Sequence, residues 1–216
     1  MRSRIAMLLL VVWASALVAP ATTAQQVVDR IVARINGDVL TLSELRELAS
    51  FQQLTGAKPG TDAELLRQLV DQWMVSADAH AEQFPRPSEA VVTQALGQME
   101  AQFPSPDAFH RHLKELELTQ TAVRRQLERQ VFLLRYLDQK FRAAVQVDAP
   151  QVESYYQKEL AQQMAARGQQ APPLESVQDQ IRELLVQREI SRLAERWLEE
   201  SRANVKLEIL PGKSGR

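Results

Sequence analysis

The chain has 216 residues, of which 45% are hydrophobic and 25% charged, so it is apolar enough to fold into one or two domains. Lys and Arg number 26 against 27 Asp and Glu, and this balance argues against binding to a nucleic-acid backbone, which depends on clustered cations. The absence of cysteine excludes disulfides, thiolate metal sites and thiol nucleophiles. Because only 7 glycines and 3 tyrosines are available for turns and strands, we expect a mainly α-helical fold.

The first residues have the three parts of a secretory signal peptide. Arg2 and Arg4 precede an apolar run over residues 5–19, and small residues follow it up to Ala24. We therefore expect cleavage between Ala24 and Gln25 and a mature protein outside the cytoplasm. The alternative is that the segment is retained as a membrane anchor, but its apolar run is shorter than the ~20 residues that a spanning helix needs. No later stretch is apolar enough to span a membrane.

Strands are predicted at both ends of the mature chain. Residues 27–35 are rich in β-branched side chains and stop at Asn36 and Gly37, a strong signal for a hairpin turn. Near the C-terminus, apolar and charged residues alternate over residues 205–209, the period of a strand with one face buried. Because a lone strand leaves its backbone groups unpaired, we expect this strand to pair with the N-terminal hairpin.

The rest of the chain has patterns that predict helices. Helix starts are indicated by capping residues that precede apolar residues at helical spacing, namely Thr41 with Glu44, Thr61 with Glu64, Ser88, Ser105, Thr119 and Asp148. The longest pattern has an apolar stripe made of Val123, Leu127, Val131, Leu134, Leu137, Phe141 and Val145. The last helix, residues 176–202, is apolar on more than one face, which predicts that it is buried.

These elements predict a helical bundle with a small β element. Residues 1–24 would be the signal peptide, and residues 25–216 a single domain closed by both ends of the mature chain. Residues 166–173 contain a glycine and a pair of prolines but no periodic apolar residue, which is typical of a linker.

The sequence indicates no catalytic residue, metal site or cofactor. His110 and His112 lie two apart on a predicted helix and so point to different faces, and with His80 they are the only histidines. Motifs for a nucleophilic serine or for a phosphate-binding loop are absent.

Three large or flexible apolar side chains remain as candidates for a peptide-binding surface: Met99, Phe103 and Phe109. The alternative, which we favour for each of them, is packing in the core between short helices.

Both ends of the mature chain resemble the N-terminal chaperone domain of the SurA family of periplasmic chaperones. The resemblance rests on residues 28–45 (VDRIVARINGDVLTLSEL), on residues 181–185 (IRELL) and on residues 197–205 (WLEESRANV). The helices between them follow the family by pattern more than by motif. The resemblance implies a helical bundle closed by N- and C-terminal strands.

The family also carries parvulin-type prolyl isomerase domains before the last helix, and this chain departs from it there. Only some twenty residues separate Tyr156 from Val177, without the parvulin Gly-Gly-Asp segment or active-site histidines. The resemblance therefore implies a periplasmic holdase for unfolded outer-membrane or periplasmic proteins, without isomerase activity. A diverged prolyl isomerase and a helical envelope scaffold with one specific partner are the alternatives.

Overall fold

The computed structural model describes residues 29–210. The predicted signal peptide, its cleavage site between Ala24 and Gln25, and the first two residues of the predicted N-terminal strand lie outside the described residues. Within them the protein is mainly α-helical with a three-stranded antiparallel sheet, which confirms the predicted fold class.

The elements follow one another in a simple order. The strands are β1 (Ile31–Ile35), β2 (Asp38–Thr41) and β3 (Leu207–Ile209). The helices are α1 (Leu42–Leu54), α2 (Asp62–Ala81), α3 (Glu89–Glu100), α4 (Pro106–Glu115), α5 (Gln120–Arg142), α6 (Ala149–Tyr155), α7 (Ala161–Ala166) and α8 (Leu174–Arg202), with a π-helical turn over Tyr156–Leu160 between α6 and α7.

The predicted hairpin is confirmed. Asn36 and Gly37 form the turn between β1 and β2 with φ values of 50° and 101°, a left-handed backbone that glycine and asparagine adopt at least cost. The Trp73 indole of α2 donates to the Asp38 carboxylate at 2.8 Å, which fastens the start of β2 to the helices. The hairpin is therefore stabilised both by its turn and by a hydrogen bond to α2.

The C-terminal strand pairs with β1, as the sequence predicts. In this antiparallel pair Ile35 lies opposite Leu207, and Ala33 opposite Ile209. The sheet order is β2-β1-β3, so β1 is the central strand among the described residues. The predicted buried face of the C-terminal strand is wrong, however, because Leu207 is 42% and Ile209 62% exposed. The reason is that β3 lies at the edge of the sheet, where its apolar face opens into a groove.

Most predicted helix caps make the expected hydrogen bonds. Thr61 accepts a hydrogen bond from the Glu64 amide, and the Glu64 carboxylate accepts one from the Thr61 amide at 2.7 Å. The same box closes the starts of α1 and α6, and Ser105 and Thr119 cap α4 and α5. Ser88 is the exception, since it precedes α3 without a side-chain capping bond.

This difference between two exposed cap positions is testable. Thr61→Ala leaves a backbone N–H of the first turn without its partner, so it should lower the free energy of unfolding by about 1 kcal/mol. Ser88→Ala removes no capping bond, so it should change stability by less than about 0.5 kcal/mol. Urea unfolding followed by circular dichroism measures both, and equal losses would contradict the assigned caps.

The core consists of three clusters that follow one another through the molecule. The first joins the sheet to α1 and α2, the second joins the end of α1 to α3, α4 and the first half of α5, and the third joins α2 to the second half of α5. Helix α5 therefore changes its neighbours along its length.

This change of neighbours corrects the predicted stripe of α5. Leu134 belongs to the predicted stripe but is 67% exposed. Phe132, Leu133 and Tyr136 are buried instead, against residues of α2 such as Val75. The buried face turns around the helix because its first half packs on α3 and its second half on α2 and α8.

An ion network beside Tyr136 ties α2 to α5. The Lys140 ammonium lies 2.8 Å from the Asp78 carboxylate, which also accepts the Tyr136 hydroxyl hydrogen bond. Burial alone would raise the pKa of Asp78, but the hydrogen bonds from Lys140 and Tyr136 hold that pKa below its usual value. Burial and the Asp78 carboxylate raise the pKa of Tyr136, which keeps the hydroxyl protonated as a donor.

Helix α8 is less buried than predicted. Its buried residues are Ile181, Ile190 and Ala194, and Leu184 is 40% exposed. The helix packs against α5, α6 and α2, and Leu185, Leu193 and Trp197 are only partly buried there. Of the predicted linker, residues 166–173, Ala166 ends α7 and residues 167–173 are non-helical and lead into α8. The Tyr156 hydroxyl donates to the Pro172 carbonyl in this segment at 2.7 Å.

Candidate functional site

An apolar groove lies beside β3, where the sheet, the start of α1 and the start of α2 meet. Its cavity volume is about 540 Å³, within the range of pockets that hold ligands. The apolar side chains that line it are Val32, Leu42, Leu45, Ala63, Leu66, Val70, Val205, Leu207, Ile209 and Leu210.

The groove is the open edge of the first core cluster. Val32, Leu45 and Val70 are buried members of that cluster and also line the groove. On the other side, Leu207 and Ile209 leave a large part of their surface in water. Covering apolar surface of this kind is favourable by roughly 25 cal/mol per Å². The groove is therefore suited to binding an apolar ligand that completes the core.

Charged residues lie around this apolar floor. Arg30, Asp62 and Arg67 line the groove together with Arg202, which donates to both carboxylate oxygens of Asp71 at 2.7 Å. This bidentate pair joins the end of α8 to α2 directly before the chain enters β3. The polar part of the lining formed by described residues thus consists of one carboxylate and three guanidinium groups.

The pair between Arg202 and Asp71 should stabilise the groove measurably. Arg202→Gln loses a partly buried, charge-assisted pair and should lower the free energy of unfolding by about 1–2 kcal/mol. The exchange of the Leu210 amide, which donates to the Val32 carbonyl, should become faster because β3 is less firmly held.

Arg67→Gln is the matched control for Arg202→Gln. Arg67 lines the same groove but forms no ion pair with the acidic residues of the described range. Its replacement should change stability by less than about 0.5 kcal/mol. Equal effects of the two replacements, measured by urea unfolding and hydrogen exchange, would contradict the role given to Arg202.

The candidate binding residues from the sequence lie elsewhere, in the second core cluster. Phe109 is fully buried, Met99 is buried, and Phe103 is half-buried with its ring edge-on to Phe109 at 5.2 Å between centroids. The three side chains pack between α3 and α4 and offer little surface to a ligand. They are core residues, which is the alternative that the sequence analysis favoured.

The core role of Phe109 predicts a large loss of stability. Phe109→Ala should cost about 3–5 kcal/mol because it leaves a cavity among close-packed side chains. Leu134→Ala, at an exposed position of α5, should cost less than about 0.5 kcal/mol. Urea titration compares the two, and a loss below about 1 kcal/mol for Phe109→Ala would contradict its place in the core.

The histidines do not meet in the structure. The His80 ring packs on Phe132, and His112 lies 3.1 Å from the Glu115 carboxylate. Over residues 29–210 no group of three His, Asp or Glu side chains is placed to hold a metal ion. None of the helices in that range has the length and hydropathy required to cross a membrane.

Sequence reasoning missed the groove because it assigned these residues to the core. Leu207 and Ile209 belong to the predicted buried face of the C-terminal strand. The available signal was the C-terminal alternation itself, which indicates an apolar strand face without showing what covers it.

No family model matches the chain, and no match is found among curated proteins.

Proposed function

We propose that this protein is a holdase chaperone of the bacterial periplasm that binds apolar segments of unfolded outer-membrane or periplasmic proteins in the groove beside β3. The observation that carries the proposal is the open edge of the core, where Leu207 and Ile209 lie exposed over an apolar floor. On this proposal the protein has no isomerase activity.

The groove has the properties that this activity requires. A holdase needs no cofactor, because binding an unfolded chain shifts its equilibrium by mass action. Binding has to be weak and reversible so that the client leaves when it folds, and an open apolar groove gives contacts without a fixed set of polar partners.

The resemblance to the SurA chaperone domain supports the same proposal. It implied a helical bundle whose terminal strands pair, and β1 pairs with β3 in this way. The resemblance and the predicted signal peptide both support a periplasmic location, where unfolded outer-membrane proteins are its clients on this proposal.

The experiment is aggregation suppression. An unfolded outer-membrane β-barrel protein is diluted from urea in the presence of the full chain, and light scattering is recorded. We expect suppression near stoichiometric amounts and no binding to the folded barrel. The Ile209→Glu variant, which places a charge at the groove, should need several times more protein for the same effect, about threefold or more.

The matched control is Leu134→Glu. Leu134 is 67% exposed, close to the 62% of Ile209, but it lies on α5 outside the groove. Both variants add the same charge, so a difference between them reports on the groove. Equal suppression by the two variants would exclude the groove as the site. Absence of suppression by the unchanged protein at large excess would refute the holdase proposal and favour a single specific envelope partner.

A further inference from the structure

We infer that the groove captures its client as an additional β-strand, hydrogen-bonded to the free edge of β3. This inference rests on the proposed function and adds the mode of binding. The client segment is extended, with apolar side chains on the face that enters the groove and polar side chains on the other face.

The backbone of β3 has its outer hydrogen-bonding groups free for such a strand. The Leu210 amide donates to Val32, and the Lys206 carbonyl accepts from Asn36, so residues 206, 208 and 210 direct their backbone groups towards β1. The amides and carbonyls of Leu207 and Ile209 therefore point away from β1. Within residues 29–210 the sheet ends at β3, so these four groups have no strand partner there.

The side chains of β3 determine which face of a client is apolar. Leu207 and Ile209 lie opposite Ile35 and Ala33, which are fully buried, so all four share the face of the sheet that turns to the core and the groove. A strand added beside β3 places every second side chain on this same face, next to Leu66 of α2. Backbone bonds then give affinity without sequence preference, and the groove selects apolar residues at alternate positions.

On the opposite face of β3, Glu208 and the adjoining Lys206 carry both signs of charge. Glu208 pairs with Arg34 of β1 at 3.8 Å, both side chains being about half exposed, and Lys206 lies two residues before Glu208. A client residue on this side meets water and mixed charge, so polar residues of either sign are accepted there. An amphipathic strand, apolar on one face only, fits both faces, and strands of membrane β-barrels have this alternation.

A second copy of β3 carries the same alternation and is the competing occupant. In a symmetric antiparallel pair, however, the helical layers of both copies lie on the same side of the joined sheet. In that arrangement the helical layer of each copy, which includes α2, lies next to the strand that the other copy adds. A single extended segment brings no such layer, so we assign the groove to a client strand.

N-methylation of a client peptide tests the backbone pairing directly. A labelled seven-residue peptide that alternates Phe or Val with Thr or Lys is titrated with the full chain, and fluorescence anisotropy is measured. Two further peptides carry N-methyl groups on one or the other alternate set of amides. Because alternate amides of a strand point to opposite sides, one set should weaken binding at least about tenfold, and the other should change it less than about twofold.

The result separates this inference from the proposed function. If the unmodified peptide binds and both methylated sets bind equally, β-strand capture is wrong and an apolar groove without backbone pairing remains. If the unmodified peptide does not bind although the protein suppresses aggregation, β-strand capture is wrong and the holdase proposal stands; if neither is observed, both fail. If sedimentation shows a dimer that Leu207→Pro dissociates and that the peptide does not disrupt, the edge belongs to a second copy and the inference is overturned.

A variant pair provides a second measurement on the protein. Leu207→Pro removes an outward amide together with the leucine side chain, whereas Leu207→Ala removes the side chain alone. Proline is tolerated on an edge strand where its missing N–H faces outwards. We expect the proline variant to bind the peptide about fivefold more weakly than the alanine variant, with unchanged circular dichroism. Equal affinities would contradict the inference.

Discussion

The pairing of β1 with β3 is the interaction on which the rest of the structure depends. It joins the start of the described chain to its end, because Ile35 lies opposite Leu207 with nearly the whole of the described chain between them. Only three residue pairs connect β1 and β3, and the ion pair of Arg202 in α8 with Asp71 in α2 gives this short pairing further support. The helices between the two strands are thereby joined into one structure, and the groove lies beside β3 because within residues 29–210 no further strand pairs with it.

The groove combines stability and accessibility in one place. Val32 and Leu45 are held in the core by the helices beneath the sheet, whereas Leu207 and Ile209 on the edge strand stay in contact with water. An apolar surface supported from behind by a packed core keeps its shape without a ligand, so little order has to be gained on binding. This is the physical basis for proposing reversible capture of unfolded chains at this position.

Edge strands with exposed apolar residues carry a risk, because they pair with other chains and promote aggregation. Here β3 is only three residues long, and Lys206 and Glu208 place charges on its other face. Short length and adjacent charge are features by which proteins limit uncontrolled pairing at an edge. The same features favour brief contacts with many segments over a permanent contact with one, which agrees with the proposed holdase activity.

The sequence by itself determined the local structure: the Asn36-Gly37 turn, the capping boxes and the pairing of the terminal strands follow from short-range chemistry and from the need of a strand for a partner. Tertiary structure decided which apolar residues are covered. Ile209 stayed exposed although the alternation of its segment predicted burial, whereas Phe109, also a candidate for binding, became core. Periodicity identifies an apolar face, but only the arrangement of neighbouring elements determines whether another element packs against that face.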